Sequence, residues 1–255
     1  MKLQATKTSK WLISRLNKQG YNFEGYILAI YSKSIIAVSK YNEILHFTSD
    51  SKNLSPFSFY IPDLSPDCFS AGQSIKFKHN SYVLNNSVVK LSQIYDTYDE
   101  SYIKPFKDIL LPDAKLLNAN CYCNIEFIKR REKIYKYYVS KNTSKLLEAM
   151  LEILGLGEGL TPSGDDYMTG LIYGMFVTGK TEMLEKIALL LIPEIEKNTT
   201  LISGCFLKHA LKGRFSENII NNDWQNLLEF GHTSGFFALY GIYDSLNYSN
   251  ELLLT

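Results

Sequence analysis

The stretch Gly157-Glu158-Gly159-Leu160-Thr161-Pro162-Ser163-Gly164-Asp165-Asp166 concentrates more potential chemistry than any other part of this chain. Its glycines free the backbone, Thr161 and Ser163 can cap a helix, Pro162 fixes φ, and two acids fall in a first turn. Two registers satisfy these signals. Thr161 is the N-cap with Pro162 in the first helical position, or Ser163 is the N-cap with Asp166 three residues on. In either, backbone N–H groups of residues 162–166 lack intrahelical partners. Such a terminus attracts a phosphate, a carboxylate or the chain's own aspartate. One of the adjacent carboxylates could hold a Mg²⁺ ion together with substrate phosphate oxygens. The plain alternative is that both acids only cap the helix and oppose its dipole. No Gly-Lys-Ser/Thr follows the glycines, so the stretch is not a P-loop.

Two other segments carry the same residue types. Gly231-His232-Thr233-Ser234-Gly235 places hydroxyls and glycine at a helix start, with Thr233 or Ser234 as N-cap and His232 as acid/base, anion ligand or structural residue. Its serine is fourth, not third, so it is no nucleophile elbow. In Thr199-Thr200-Leu201-Ile202-Ser203-Gly204, helical spacing gives Thr200, Ser203, Gly204 and Leu207 a common face. Such mid-helix hydroxyls satisfy themselves on the preceding turn or face a polar pocket.

These segments need a scaffold, and the chain supplies two kinds. After a short amphipathic segment ending at Gly20, residues 21–91 have β character. Short β-branched and aromatic runs at 26–31, 35–38, 43–48, 57–61, 74–77 and 82–84 alternate with turns at Ser32-Lys33-Ser34, Asn53, Ala71-Gly72 and Asn85-Asn86. From about residue 94 the signals are helical. Leu146, Leu147, Met150, Leu151 and Leu154 repeat at helical spacing before Gly155, and a helix from 161–165 to Thr178 stops at Gly179. On that helix Asp165 heads the stripe Met168, Ile172, Met175. Asp166 heads Gly170, Tyr173, Gly174, Val177, whose glycines form a flat strip for another backbone or a ligand. A helix over 181–192 follows, and Pro193 opens the next one. Segments 223–230 and 233–246 complete the set. The expected fold is α+β: an N-terminal antiparallel β-rich barrel or sandwich (residues 1–105), then a C-terminal all-helical domain (106–255) carrying the Gly-Leu-Thr-Pro-Ser-Gly-Asp-Asp motif.

Composition narrows the partners. A formal net charge of +1 gives no bias toward nucleic acid or a membrane surface. The basic run Lys129-Arg130-Arg131-Glu132-Lys133 reads as a solvated helix face. Cys68, Cys121, Cys123 and Cys205 have neither disulfide nor zinc spacing and read as reduced thiols in the cytoplasm. No apolar run approaches the ~20 residues that span a bilayer.

Taken together, Gly-Leu-Gly-Glu-Gly-Leu-Thr-Pro-Ser-Gly-Asp-Asp (155–166), Thr-Thr-Leu-Ile-Ser (199–203) and Gly-His-Thr-Ser-Gly (231–235) resemble the hallmarks of the AllH family. The likeness covers most of 145–245 and departs at Glu158, where the family pattern has proline. The resemblance implies a subunit of an oxamate carbamoyltransferase of purine (allantoin) degradation, acting with partner subunits on carbamoyl phosphate and oxamate. It would place Asp166, His232 and Ser163 in catalysis. Gly159, Thr161, Gly164, Asp165, Thr200, Ser203, Thr233 and Ser234 would bind substrate. Lys208 or Arg214 would clamp its carboxylate. No metal ligands are assigned; Mg²⁺ is the one cofactor left open, and Asp166 would act on substrate or on that metal. The competing readings are a non-catalytic partner-binding subunit, with the Gly170/Gly174 strip receiving a neighbouring chain, and a stand-alone metal-dependent hydrolase or phosphotransferase.

Overall fold

The structure, a computed structural model, describes residues 2–52, 54–78, 80–84, 87–92, 94–118, 123–231 and 233–251. The positions Asn53, Asn85, Asn86, Cys121 and His232 discussed above lie outside them. The strands are β1 (Lys2–Gln4), β2 (Lys7–Ser9), β3 (Glu24–Ile30), β4 (Ser34–Ser39), β5 (Ile44–Thr48), β6 (Ser58–Tyr60), β7 (Ser74–Lys78), β8 (Ser81–Leu84), β9 (Ser87–Lys90) and β10 (Asp96–Tyr98). The helices are α1 (Lys10–Leu16), α2 (Ala114–Asn118), α3 (Ile125–Val139), α4 (Thr143–Ile153), α5 (Ser163–Val177), α6 (Thr181–Asn198), α7 (Leu201–Ala210), α8 (Glu217–Asn221), α9 (Trp224–Leu228) and α10 (Ser234–Glu251). The α+β class expected from the sequence is the one observed. Two compact units divide the chain: Met1–Tyr102 with Ser216–Asn221, and Ile103–Phe215 with Asn222–Thr255.

In the first unit one sheet runs in the order β1-β9-β8-β7-β3-β4-β5-β6-β2-β10. Most neighbours are antiparallel; β1–β9, β2–β10 and β5–β6 are parallel. β1 and β2 follow one another in the chain yet pair near opposite ends of the sheet. The Ala5 N–H donates to the Lys90 carbonyl and the Thr6 N–H to the Tyr60 carbonyl, each at 2.9 Å. A sheet strapped at both ends by one short segment must curl, and it forms a half-barrel. Inside it Ile27, Ile35, Ala37, Leu45, Phe47, Phe59 and Tyr82 are fully buried. Phe47 stacks on Phe59 at 5.4 Å, and the Tyr82 hydroxyl is 2.9 Å from that of Tyr21. The returning segment is held within this unit. Lys7 ion-pairs with Glu217 at 2.6 Å, and the Glu217 N–H donates to the Leu54 carbonyl at 2.9 Å.

His46 on β5 sets a pH dependence. Its Nδ1 lies 2.9 Å from the Ser58 hydroxyl, and desolvation pushes the imidazole down to about 4, with Asp50 opposing. The unfolded chain binds that proton near 6.5, so it gains protons first as pH falls. Folded stability is therefore lost between about pH 6.5 and 4, at up to about 1.4 kcal/mol per pH unit. His209 on α7, pushed down to about 3 by burial and then by Arg214 and Lys212, acts in the same direction. Tm measured from pH 7 to 4 should fall more gently in His46→Gln than in wild type. Parallel curves would contradict this.

In the second unit α5 is the central helix. Tyr167, Met168, Leu171, Ile172, Tyr173 and Met175 are all fully buried, so it is covered on nearly every side. α10 lies along it, and Gly170 and Gly174 are where α10 comes closest. A Cβ on Gly170 would collide with the Ala238 carbonyl, and one on Gly174 with the Ser245 side chain. Gly241 makes the reciprocal approach to Tyr167. The strip is thus filled by this chain's own helix and is not left for a neighbouring chain.

Two local expectations are corrected. Pro193 sits inside α6 and opens no new helix. Pro193 itself is exposed, while Leu184, Ile187, Leu191 and Ile195 keep one buried stripe through it, and their packing outweighs the ~3 kcal/mol penalty. The basic run lies on α3, but Arg131 turns inward. It makes a bidentate pair with Asp244 (2.5 and 2.6 Å) and lies 4.5 Å over the Tyr240 ring. Asp244, 1% exposed, also accepts from the Tyr167 hydroxyl at 3.0 Å. No described helix is long and apolar enough to cross a membrane.

Candidate functional site

The starts of α5, α7 and α10 converge in the second unit. Between α4 and α5 the loop turns through Gly155, Gly157 and Gly159, all at positive φ. A Cβ at Gly155 would strike the Asn198 carbonyl, so this loop runs directly against the end of α6. Neither sequence-derived cap register holds. Pro162 occupies the N-cap, extended and without a side-chain cap bond, and Ser163 is the first helical residue. The reason is tertiary: the Thr161 hydroxyl is 2.8 Å from that of Ser234 at the start of α10. Nor are the first N–H groups all open. Gly164 N–H donates to the Leu156 carbonyl at 2.8 Å, and those of Asp165 and Asp166 to Pro162 at 3.0 and 3.1 Å.

Thr200 is likewise a cap and not a mid-helix residue. Its hydroxyl accepts from Ser203 N–H at 3.1 Å and donates to the Leu160 carbonyl, tying the α7 start to the loop. On α10, Thr233 supplies the carbonyl that accepts the first helical N–H, from Phe237 at 3.1 Å. Gly159 is exposed with open space around it.

The two carboxylates have different surroundings. Asp165, 1% exposed, is saturated: its Oδ1 accepts from Gly155 N–H at 2.7 Å, and its Oδ2 from the hydroxyls of Thr199 and Ser203, the latter at 2.7 Å. Burial raises its pKa, and these three donors pull the other way. It pins the α4–α5 loop to the start of α7. Asp166 retains some exposure as a residue, but its Oδ2 is buried with no hydrogen-bond partner. Burial holds it well above the ordinary carboxylate range, the Ser234 hydroxyl opposes this, and the neighbouring Asp165 charge adds to it.

The structure therefore brings Thr161, Asp166 and Ser234 together, and separately Asp165, Thr199 and Ser203. Thr199 is the member that sequence reasoning did not single out. Lys208 is spent on Glu196 at 2.6 Å, on the exposed side of α7. Among the described residues no three His, Cys, Asp or Glu side chains group as metal ligands. With Asp165 saturated, Asp166 would be the single carboxylate available to a cation arriving with substrate phosphate.

What these elements define is a helical unit whose central helix begins in a cluster of hydroxyls and buried acids. Residues 153–246 match the family model of the oxamate carbamoyltransferase subunit AllH. The resemblance seen in the three motifs is thereby borne out over that stretch, which takes in α5 to α9 and α10 as far as residue 246. No solved structure matches the chain.

Proposed function

We propose that this chain is a subunit of a carbamoyltransferase-type enzyme and that its helical unit binds a small oxoanion, such as carbamoyl phosphate or oxamate, where α5, α7 and α10 begin. The observation that carries the reading is that hydroxyls from the starts of α5 and α10, Thr161 and Ser234, meet beside Asp166, whose buried Oδ2 has no hydrogen-bond partner. Ser163, Thr233 and the one proton that the Thr161–Ser234 pair leaves over are donors for phosphate or carboxylate oxygens, the Thr200 hydroxyl being spent on the Leu160 carbonyl, and three helix N-termini favour negative charge. Because the Gly164 N–H is spent on Leu156, hydroxyls take over much of the role first given to backbone N–H groups. Asp165 orders the loop. Asp166 acts on substrate, and Ser163 and Gly159 line the approach. Partner subunits complete the enzyme and supply a cationic clamp that Lys208, paired with Glu196, does not.

Inorganic phosphate at about a hundred times its Kd should stabilise the chain by about 2.7 kcal/mol, read as a rise in Tm. Ser163→Ala and Asp166→Asn should keep the fold, diminish that rise and abolish carbamoyl transfer in the assembled enzyme. Full activity in both variants would overturn the assignment. A non-catalytic, partner-binding role would show no phosphate-dependent rise at all.

A further inference from the structure

The glycine strip of α5 is filled by α10, but α6 keeps an open face. Leu184, Ile187, Leu191 and Ile195 turn its buried stripe inward. On the opposite side Glu182, Lys186, Leu189, Pro193 and Lys197 follow one another at spacings of four, three, four and four, which puts them on one seam. Leu189 is 77% exposed, more than any other large apolar residue described in the helical unit, and Leu190 beside it is 61% exposed. Pro193, one turn on, is exposed as well. Two leucines and a proline at the centre of an otherwise charged face make a contiguous apolar patch, and such patches mark interaction sites.

The charges around the patch select its occupant. Glu182 and Lys197 are equidistant along the helix from the midpoint between Leu189 and Leu190. A second copy of α6 laid antiparallel about that midpoint sets Leu189 against the partner's Leu190, and Glu182 against the partner's Lys197, at both ends. A parallel copy would set glutamate on glutamate and lysine on lysine. In the antiparallel pair Pro193 falls opposite the partner's Lys186, whose methylene stem can cover the ring. Pro193 has no N–H, so the Leu189 carbonyl loses its ordinary helical donor, and the partner's Lys186 ammonium, at that level, can replace it. In the single chain Glu182 pairs with Lys186 at 2.7 Å and Lys197 with Glu194 at 2.8 Å. Both pairs lie on the surface, where they contribute little and are readily exchanged.

We propose that the outer face of α6 is a two-fold interface through which this chain pairs, helix antiparallel to helix, with a second copy of itself. The same patch then serves on both sides, as closed two-fold symmetry requires. The pairing uses no residue of the anion site, so the two readings stand or fall separately.

The test is sedimentation equilibrium of the full chain between about 1 and about 100 μM, the range that a small interface calls for. The mass should rise from 29.2 kDa toward twice that value. Leu189→Ser and Leu190→Ser should each raise the dimer Kd at least about tenfold, with Tm unchanged, because both side chains stand clear of the core. Glu182→Lys and Lys197→Glu should each weaken pairing too, by setting like charges together at both ends. Mixed one to one, those two variants should pair with each other and restore the dimer, because each end then holds one acid and one lysine. A chain that stays at 29.2 kDa throughout, or a dimer indifferent to both serine variants, overturns the proposal. Charge variants that fail to pair when mixed overturn the antiparallel register. A chain monomeric by itself whose α6 variants lose binding to a different subunit gives the face another occupant and also overturns it.

Discussion

Gly170→Val should unfold the helical unit or come close to it. In a free helix, replacing glycine raises stability, by up to about 1 kcal/mol for alanine. Here a Cβ would drive into the Ala238 carbonyl and stand 2.8 Å from the Ile242 nitrogen, both backbone atoms of α10. A backbone cannot change rotamer to make room, so the two longest-packed helices must separate. We expect a loss of at least about 3 kcal/mol, measured by urea denaturation followed by helical circular dichroism. Gly159→Ala is the control. Unlike the helical Gly170 it has positive φ, but nothing stands within 4 Å of its added Cβ, and it should cost only about 1 kcal/mol. Equal stabilities for the two variants would refute the close-packed role of the strip.

The second large effect is expected at Asp165. Asp165→Ala removes the acceptor for one N–H and two hydroxyls at once. The hydroxyls of Thr199 and Ser203 can turn elsewhere, but the Gly155 N–H cannot. A buried donor left unsatisfied costs about 1–3 kcal/mol, and the lost volume adds to it. A total of about 3–4 kcal/mol should appear in Tm, together with faster hydrogen exchange at Gly155. Asp165→Asn keeps one acceptor oxygen for that N–H and should recover most of the stability. If Asn were as damaging as Ala, the negative charge and not the hydrogen-bond set would be what the site requires.

Much of this architecture could be read from local pattern. The β-branched runs found most of the half-barrel's strands, and helical spacing with Gly155 and Gly179 located α4 and α5 to within a residue or two. Three of the four three-residue strands escaped, as did the four-residue β9. Lys2–Gln4, Lys7–Ser9 and Asp96–Tyr98 have little apolar alternation, and their pairing partners are distant in sequence. The caps were misplaced because capping rules are local, whereas Thr161 is claimed by Ser234 across 73 residues. Arg131 misled in the same way: a basic run suggests solvent, and only the fold reveals Asp244, 113 residues on. The grouping of motifs at the three helix starts was legible. The difference between a saturated Asp165 and a half-unpartnered Asp166 was not, since adjacent identical residues carry no such information.

The strap of residues 2–9 also has a temporal meaning. Within their unit the earliest-made strands pair with the latest-made, β1 with β9 and β2 with β10. The half-barrel therefore waits for about a hundred residues before its ends can be joined, a long loop closure that slows folding. It then waits again, because Glu217, which pairs with Lys7, follows more than a hundred residues later. During that interval Lys7 has Asp96 as its partner, at 3.3 Å, and still lacks the closer Glu217. The half-barrel is thus a unit whose completion depends on chain that the ribosome delivers only after most of the helical unit.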